Sequence, residues 1–565
     1  MEGNMEWQQV YDPLGQPWLS TLAAALPVVI LLGLLVVGVS ASRAALSGLV
    51  AALLVATVAY RMPLDAALAA AGYGACFGLM PIGWIVFAAV FLFHLTDKSG
   101  TFEIVKRSVG MLSPDRRLQA LLIAFSFGAF MEGAAGFGTP VAISAAIMIG
   151  VGFSPLYAAG LALIANTSPV AFGALGTPII TLAKISGLEE MPLSQMAGRQ
   201  LPLFSCIVPA WLVWTMSGMR GVVGCWPAIL ICGGSFAAIQ FITANWHGPT
   251  IVDVAGGLGS LVCLTLFLRY WRPAEIWRFP DEREFDSDAN LVRPTTRQIC
   301  RAWTPWVVLS VLVFLWGWPS VKSTLAGGSR DASNPLHSVV NLSAPIPRLH
   351  GVVYRCAPVV REVDDNGRAV APEEAVYHFA WLSATGTGIF LAAVLSALWL
   401  RIRPIAFVLQ LGETFYRMRW ALFTIACMLA VGFTTRYSGI DATLGLALTH
   451  TGWLYPFFAP LLGWLGVALT GSDTASNVLF GSLQRITAEQ LGLNPTLIVA
   501  SNSTGGVMGK MIDAQSIVVA AVATRQSGHE SQILRFVFGH SVALATLIGI
   551  VTLVQAYWLT WMIPN

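Results

Sequence analysis

Charged side chains are scarce. Of 565 residues, 11% are Asp, Glu, Lys or Arg, while 56% are hydrophobic and the mean hydropathy is +0.70. A soluble domain carries about 25% charged residues, so this chain has too little polar surface to hold a body of its size in water, and the bilayer is the solvent that fits. Cysteine pairs are lacking too. The eight cysteines form no CxxC pair, and Cys356 alone sits deep in a long polar loop, so neither a disulfide framework nor a metal site is expected. No GxSxG, HExxH, Walker or Rossmann pattern occurs, so neither an enzyme nor a cofactor is expected. No nucleic-acid signature appears, and the net charge of +3 points to no partner. No Lys or Arg precedes Arg43, so the first apolar run reads as a retained helix and not a signal peptide.

What is present is a series of long uncharged runs. Pro13 to Ser42 and Gly133 to Ala183 hold no charged side chain, and Gly221 to Val252 holds only His247. A spanning helix needs roughly 20 apolar residues, and continuous runs exclude a barrel of alternating strands. The fold class is therefore an all-α polytopic membrane protein with about 12–14 membrane segments, by the hydropathy reading. Basic residues cluster at 97–117, 272–301 and 401–419, which places those loops inside and the acidic N-terminus outside. A polar stretch at 319–376 divides the chain into an N-terminal membrane half (1–318), an extracytoplasmic loop and a C-terminal membrane half (377–565).

Two regions break the apolar pattern. The first reads Gly128-Ala-Phe-Met-Glu132-Gly-Ala-Ala-Gly-Phe-Gly-Thr-Pro140, followed by Asn166-Thr167-Ser168-Pro169 and Gly173-Ala-Leu-Gly176-Thr177-Pro178. The second reads Thr470-Gly471-Ser472-Asp473-Thr474-Ala475-Ser476-Asn477, followed by Ser501-Asn502-Ser503-Thr504-Gly505-Gly506. Each half places one acid in an apolar surround, then a Pro-marked turn, then an Asn cluster with glycines. Interrupted segments at matching places in two halves point to a transporter site. Freed N–H groups, helix N-termini and neutral hydroxyls there suit a carboxylate that must bind and then leave. The plan predicts two inverted repeats with broken helices and re-entrant hairpins, with breaks at Glu132, Asn166, Asp473 and Asn502.

The stretches 128–143, 155–179, 462–481, 500–512 and the tail from Gln515 to Pro564 resemble the lactate permease family of the ion transporter superfamily. The resemblance runs nearly end to end and departs at Asp513-Ala514, where the family would place Ser-Pro. It implies a proton-coupled symporter of lactate and glycolate in a bacterial inner membrane, and the superfamily's dicarboxylate-carrying relatives bind carboxylates with Ser-Asn-Thr motifs at the tips of two re-entrant hairpins. Asn166, Thr167, Ser168, Ser501, Asn502, Ser503 and Thr504 match those motifs.

Intramembrane acids are costly and functional by default, so Glu132 and Asp473 are the proton-coupling candidates. The bland readings are a structural carboxyl for Glu132 and a helix N-cap for Asp473. Lys510 and Asp513, at i and i+3, are expected to pair; the other reading has Lys510 neutralising substrate. Arg436 with Asp441, and Asp253, read as interfacial charges, and Trp18, Trp84, Trp303, Trp306 and Trp558 as interfacial anchors. Rival functions are a symporter of another carboxylate, a sodium-coupled anion carrier and an anion channel.

Overall fold

The computed structural model describes residues 6–37, 39–136, 139–279, 294–327, 340, 342–360, 371–526 and 529–564 and is dominated by helices. Among the described residues, nine helical stretches are long and apolar enough to cross a bilayer. A tenth, Pro155–Ala165 with Val170–Ser186, is bent by 63°. Leu22, Val29, Val58, Trp226 and Leu230 turn outward, as a lipid-facing surface requires. The count falls below the 12–14 expected because one stretch holds two segments and because the helices of 116–150, 385–400 and 473–523 are too short or too polar to qualify. Glu190–Trp246 doubles back at Gly218, whose φ of 64° and ψ of −168° leave the helical region. Its limbs then meet: Ser194 Oγ donates to the Ala244 carbonyl at 3.0 Å, and Ser205 Oγ to Gln240 Oε1 at 2.7 Å. Ile440–Thr470 is likewise interrupted at Gly452, whose φ of 59° and ψ of −137° leave the helical region.

The described parts of the basic loops gather on one face. Lys98 pairs with Glu413 at 2.7 Å, the Arg116 amide donates to the Trp277 carbonyl at 3.1 Å, and Arg301 reaches the Leu400 carbonyl. The described parts of the polar loop gather on the other, because Thr296–Gly317 and Thr385–Leu400 each run from the basic face to that loop. There the strand Trp7–Gln8 pairs in parallel with Val353–Tyr354, and Leu342–Pro345 pairs antiparallel with Val376–Phe379. These short strands are where the described residues depart from an all-α fold. The Gln9 amide donates to the Arg436 and Tyr437 carbonyls at 3.0 Å each, while Leu349, Val353 and Ala375 pack against Tyr73, Phe433 and Tyr437. The polar loop is thus a cap seated on the membrane body.

Three interfacial expectations are corrected. Arg436 does not pair with Asp441. It reaches Glu373 of the cap at 3.2 Å, and Asp441 is buried, accepting from Ser482 Oγ and the Ala442 amide. Trp306 is 1% exposed, within an aromatic core with Phe102 and Phe130; only Trp18 and Trp558 of the five expected anchors are largely exposed. Asp253 is buried in the interior and is treated with the site below. In each case a side chain near the end of an apolar run is covered by an element distant in sequence.

Glu373 lies between Arg355 Nε at 2.9 Å and Arg436 Nη2 at 3.2 Å. Burial pushes its pKa up, but the two guanidiniums outweigh burial and hold it below the usual carboxylate range. A depressed folded-state pKa gives stability that is present above the unfolded value and lost as pH falls through the folded one. The melting temperature of detergent-solubilised protein is therefore expected to drop as pH falls below about 4.3, the unfolded glutamate value. Glu373→Gln should remove that part of the slope. Parallel wild-type and variant slopes in that range would show that the cap does not draw on this ion triad.

Candidate functional site

Arg116–Gln119, a π-helical stretch Ala120–Phe127 and Gly128–Ala134 form one limb, and Thr139–Gly150 returns beside it. Ser144 Oγ donates to the Ile123 carbonyl at 3.2 Å across the two limbs. The limb stops after Ala134 because the sequence ahead is Ala-Gly-Phe-Gly-Thr-Pro, with Gly136 in the left-handed region at φ 57°. Glu132 therefore stands just below a hairpin tip, 4% exposed. Gly173 makes room for it: a Cβ there would lie 2.6 Å from Glu132 Oε1. Glu132 Oε2 has no hydrogen-bond partner.

The next crossing is bent by 63°. Pro155–Ala165 ends at Asn166, Val170–Phe172 forms a short 3-10 turn, and Ala174, Leu175 and Gly176 take φ of 44°, 59° and 77°. Two non-glycine residues in the left-handed region cost roughly 1–2 kcal/mol each, a strain of the kind stored at functional sites. Both amide atoms of Asn166 and the Ser168 hydroxyl are buried without a partner, whereas Thr167 Oγ1 donates to the Ile164 carbonyl at 2.7 Å.

In the second half Tyr455–Thr470 and Asp473–Gln490 form a hairpin through Gly471 (φ 73°). The cap of the second helix is Ser472, whose Oγ accepts from the Ala475 amide at 3.2 Å. Asp473 is thereby freed from capping. Its Oδ2 accepts from Ser503 Oγ and, at 3.4 Å, from Asn477 Nδ2, while Oδ1 has no partner and occupies the space that a side chain at Gly506 would need. Asn477 also donates to the Pro178 carbonyl of the first half at 3.1 Å.

The break expected at Asn502 does not occur there. Pro495–Gly509 is one continuous helix, and the interruption falls at 510–513, before Ala514–Ala523. The glycines of this motif serve packing: a side chain at Gly505 or Gly509 would collide with the backbone of Pro460 or Trp464, and one at Gly463 with that of Asn502. The motif's polar groups are used inside the protein. Asn502 Nδ2 donates to Asn477 Oδ1 at 2.8 Å and its Oδ1 accepts from Gln484 at 3.2 Å. Thr504 Oγ1 donates to Gln200 at 2.7 Å, and Ser501 Oγ to the Ile498 carbonyl at 2.7 Å.

Lys510 and Asp513 pair at 3.3 Å, both buried. Lys510 also donates to the Gly471 carbonyl at 2.6 Å, and Asp513 Oδ1 caps the following helix by accepting from the Ser516 amide at 2.7 Å. Glu132, Gly173, Ala174, Gly471 to Thr474, Lys510 and Gln515 line a cavity of about 60 Å³. Ser472, Thr474 and Gln515 also line a second cavity of about 370 Å³, together with Thr177, Thr470 and the apolar Ile82, Met428 and Leu429.

Of the expected site residues, the structure brings Glu132, Asp473 and Lys510 to one cavity wall. Ser503, and Asn502 through Asn477, bond to Asp473 from behind that wall, whereas Thr167, Ser501 and Thr504 are buried and bond to Ile164, Ile498 and Gln200. Thr177, Thr470, Ser472 and Thr474 lay in the quoted motifs without being singled out as binding residues, and Gln515 carried no signal. Asp253 was also missed. It is 1% exposed, both of its oxygens lack partners, and it packs against Gly133, next to Glu132: a Cβ on Gly133 would lie 2.7 Å from Asp253 Cβ.

Outward apolar helices around interrupted segments that pool buried charge define a polytopic α-helical membrane transporter. The chain belongs to the L-lactate permease family, whose model matches residues 20–559. It is 47% identical over 561 residues to the L-lactate permease of Salmonella typhimurium, covering 99% of this chain and 100% of that one. It is 46% identical over 570 residues to the glycolate permease GlcA of Escherichia coli K12 and 44% over 575 residues to the L-lactate permease of Bacillus subtilis, with 99% of this chain and 100% of each relative covered. Among solved structures it aligns with the YdaH transporter of Alcanivorax borkumensis at a TM-score of 0.43 and 14% identity, over 87% of this chain and 88% of that one.

Asn502→Ala would strand Asn477 Oδ1 and a Gln484 donor in the interior. Leaving a buried partner unsatisfied costs about 1–3 kcal/mol, so a lowered melting temperature in detergent is expected. An unchanged melting curve would remove this network from what holds the two helices together.

Proposed function

We propose that the protein carries lactate, and glycolate or a related small 2-hydroxymonocarboxylate, across the bacterial plasma membrane together with a proton. The observation behind this reading is that Glu132 and Asp473, from separate halves of the chain, reach one small cavity with Lys510 while each keeps an unpartnered carboxylate oxygen. Membership in the L-lactate permease family, with relatives named for L-lactate and for glycolate, supports the substrate class.

The coupling follows from charge. With Glu132, Asp473 and Asp513 ionised against one lysine, the site repels an anion, and in a low-dielectric interior that repulsion is large. A proton on Glu132 or Asp473 lowers the negative charge. The substrate carboxylate then meets Lys510 and the N–H groups at the start of the helix Asp473–Gln490, where the dipole favours an anion. Thr177, Thr470, Ser472 and Thr474 offer hydroxyls to the 2-hydroxyl group, and Asn166 and Ser168 hold further unused polar atoms nearby in the chain. Ser503, Asn477 and Asn502 hold Asp473 and so position the wall. One proton with one monoanion is electroneutral, so a pH difference alone drives accumulation.

We further infer a two-fold inverted plan. The hairpin 116–150 has its ends on the basic face and the hairpin 455–490 has its ends toward the cap, and each is followed by a crossing that is broken midway. The excess of Lys and Arg supports a cytoplasmic basic face and an N-terminus outside.

Lactate uptake into proteoliposomes tests the reading, with a pH gradient imposed and sodium omitted. Accumulation that a protonophore abolishes and glycolate competes is expected, and Glu132→Gln or Asp473→Asn should reduce it. Equilibration without accumulation would indicate a channel, sodium-dependent accumulation another coupling ion, and succinate flux without lactate flux another substrate.

A further inference from the structure

The polar interior continues beyond the cavity that holds Glu132. Toward the cap the structure opens a vestibule of about 850 Å³ lined by Lys184, Glu190, His247, Pro249, Thr250, Lys322 and Arg436, among others. Thr250 is 7% exposed and its Oγ1 has no hydrogen-bond partner. One helical turn further on, at the start of Val252–Phe267, stands Asp253, 1% exposed, with neither carboxylate oxygen partnered. Its neighbour across the helix contact is Gly133, and the Glu132 carboxylate acts on it electrostatically. Thr250 at the vestibule, Asp253 one turn further on, and Glu132, whose chain neighbour Gly133 touches Asp253, thus each hold an unpartnered polar atom between the vestibule and the transport site.

We propose that Asp253 is a proton-relay residue, which together with Glu132 forms a buried carboxyl pair and links that pair through Thr250 to the vestibule. The proposal rests on the proton-coupled reading of the site. Two adjacent carboxyls in a dry interior do not both ionise, because the second charge meets both desolvation and the field of the first; the pair therefore retains at least one proton. In the forward direction a hydronium ion in the vestibule gives a proton to an Asp253 oxygen and is left as water, and an O–H proton then passes from Asp253 to Glu132 Oε2, restoring the Asp253 carboxylate for the next proton. Each transfer breaks one O–H bond and forms another, and no other bond changes. The surrounding elements leave Asp253 without a cationic partner among the described residues. His247 is turned to the Phe314 carbonyl at 2.8 Å, Lys184 lies near the opposite end of its helix with Tyr73 at 3.0 Å, and Trp306 presents an unpartnered indole N–H.

The experiment compares two readouts in proteoliposomes containing the full-length protein: accumulation of lactate driven by a pH gradient, and exchange of labelled for unlabelled lactate at equal pH, which needs no net proton movement. Asp253→Asn should lose accumulation, the internal concentration rising no higher than the external one, while exchange persists, and Asp253→Glu should restore accumulation. Thr250→Val, which keeps the side-chain shape, should slow the pH-driven uptake relative to exchange. It decides the matter if Asp253→Asn does not fold: equal effects on the two readouts, or none, would overturn the relay. Accumulation by folded Asp253→Asn at the wild-type level would overturn it as well, even where Glu132→Gln loses accumulation. The converse result, with Glu132→Gln accumulating normally and Asp253→Asn not, would sink Glu132 as carrier and leave Asp253 in the path. Wild-type protein indifferent to a protonophore would instead remove the proton-coupled reading and with it the relay.

Discussion

A carboxylate held away from bulk water must be paired, capped or protonated, and the interior of this protein is arranged around that constraint. Three acids meet it through fixed partners. Asp115 accepts from the Arg117 backbone and guanidinium and from the Trp277 amide. Asp441 holds Ser482 and the Ala442 amide, and Asp513 caps a helix while facing Lys510. Asp513 Oδ2 accepts no hydrogen bond but faces the Lys510 ammonium at 3.3 Å, whereas Glu132, Asp473 and Asp253 each keep at least one oxygen with neither a donor nor an ion-pair partner among the described residues. The contrast within one chain is what separates structural carboxylates from those poised to exchange a proton.

Close packing makes the arrangement possible. Helices in a bilayer gain little from the hydrophobic effect and associate through small residues and buried hydrogen bonds. Tyr455–Thr470 and Pro495–Gly509 meet through Gly463, Gly505 and Gly509, where any side chain would strike backbone. Beside that seam, Tyr455, Gln484, Asn502, Asn477 and Asp473 form a continuous hydrogen-bonded chain that ends at the cavity. Glycine is used in the same manner at the carboxylates: Gly173 leaves the space filled by Glu132, and Gly506 that filled by Asp473. A hydroxyl or amide behind the wall then matters to function through the position it gives the acid.

The amino-acid sequence by itself determined the solvent and the fold class, because the scarcity of charge and the length of the uncharged runs depend on composition alone. It also determined where the first half breaks, since Gly136, Asn166 and the Gly173 to Pro178 stretch act on their own backbone, and it marked Glu132 and Asp473 as the acids that an apolar run cannot hold idly. Tertiary structure decided what local chemistry leaves open. Gly505 and Gly506 read as a helix break, yet they stay helical because a second helix needs the space beside them. Asp253 and Arg436 read as edge charges, yet one is covered by the Glu132 hairpin and the other by a cap more than sixty residues earlier in the chain. Burial and charge pairing are properties of neighbours, and in this protein the decisive neighbours are brought from the cap, from the opposite half of the chain or from another helix, a distance that no local pattern spans.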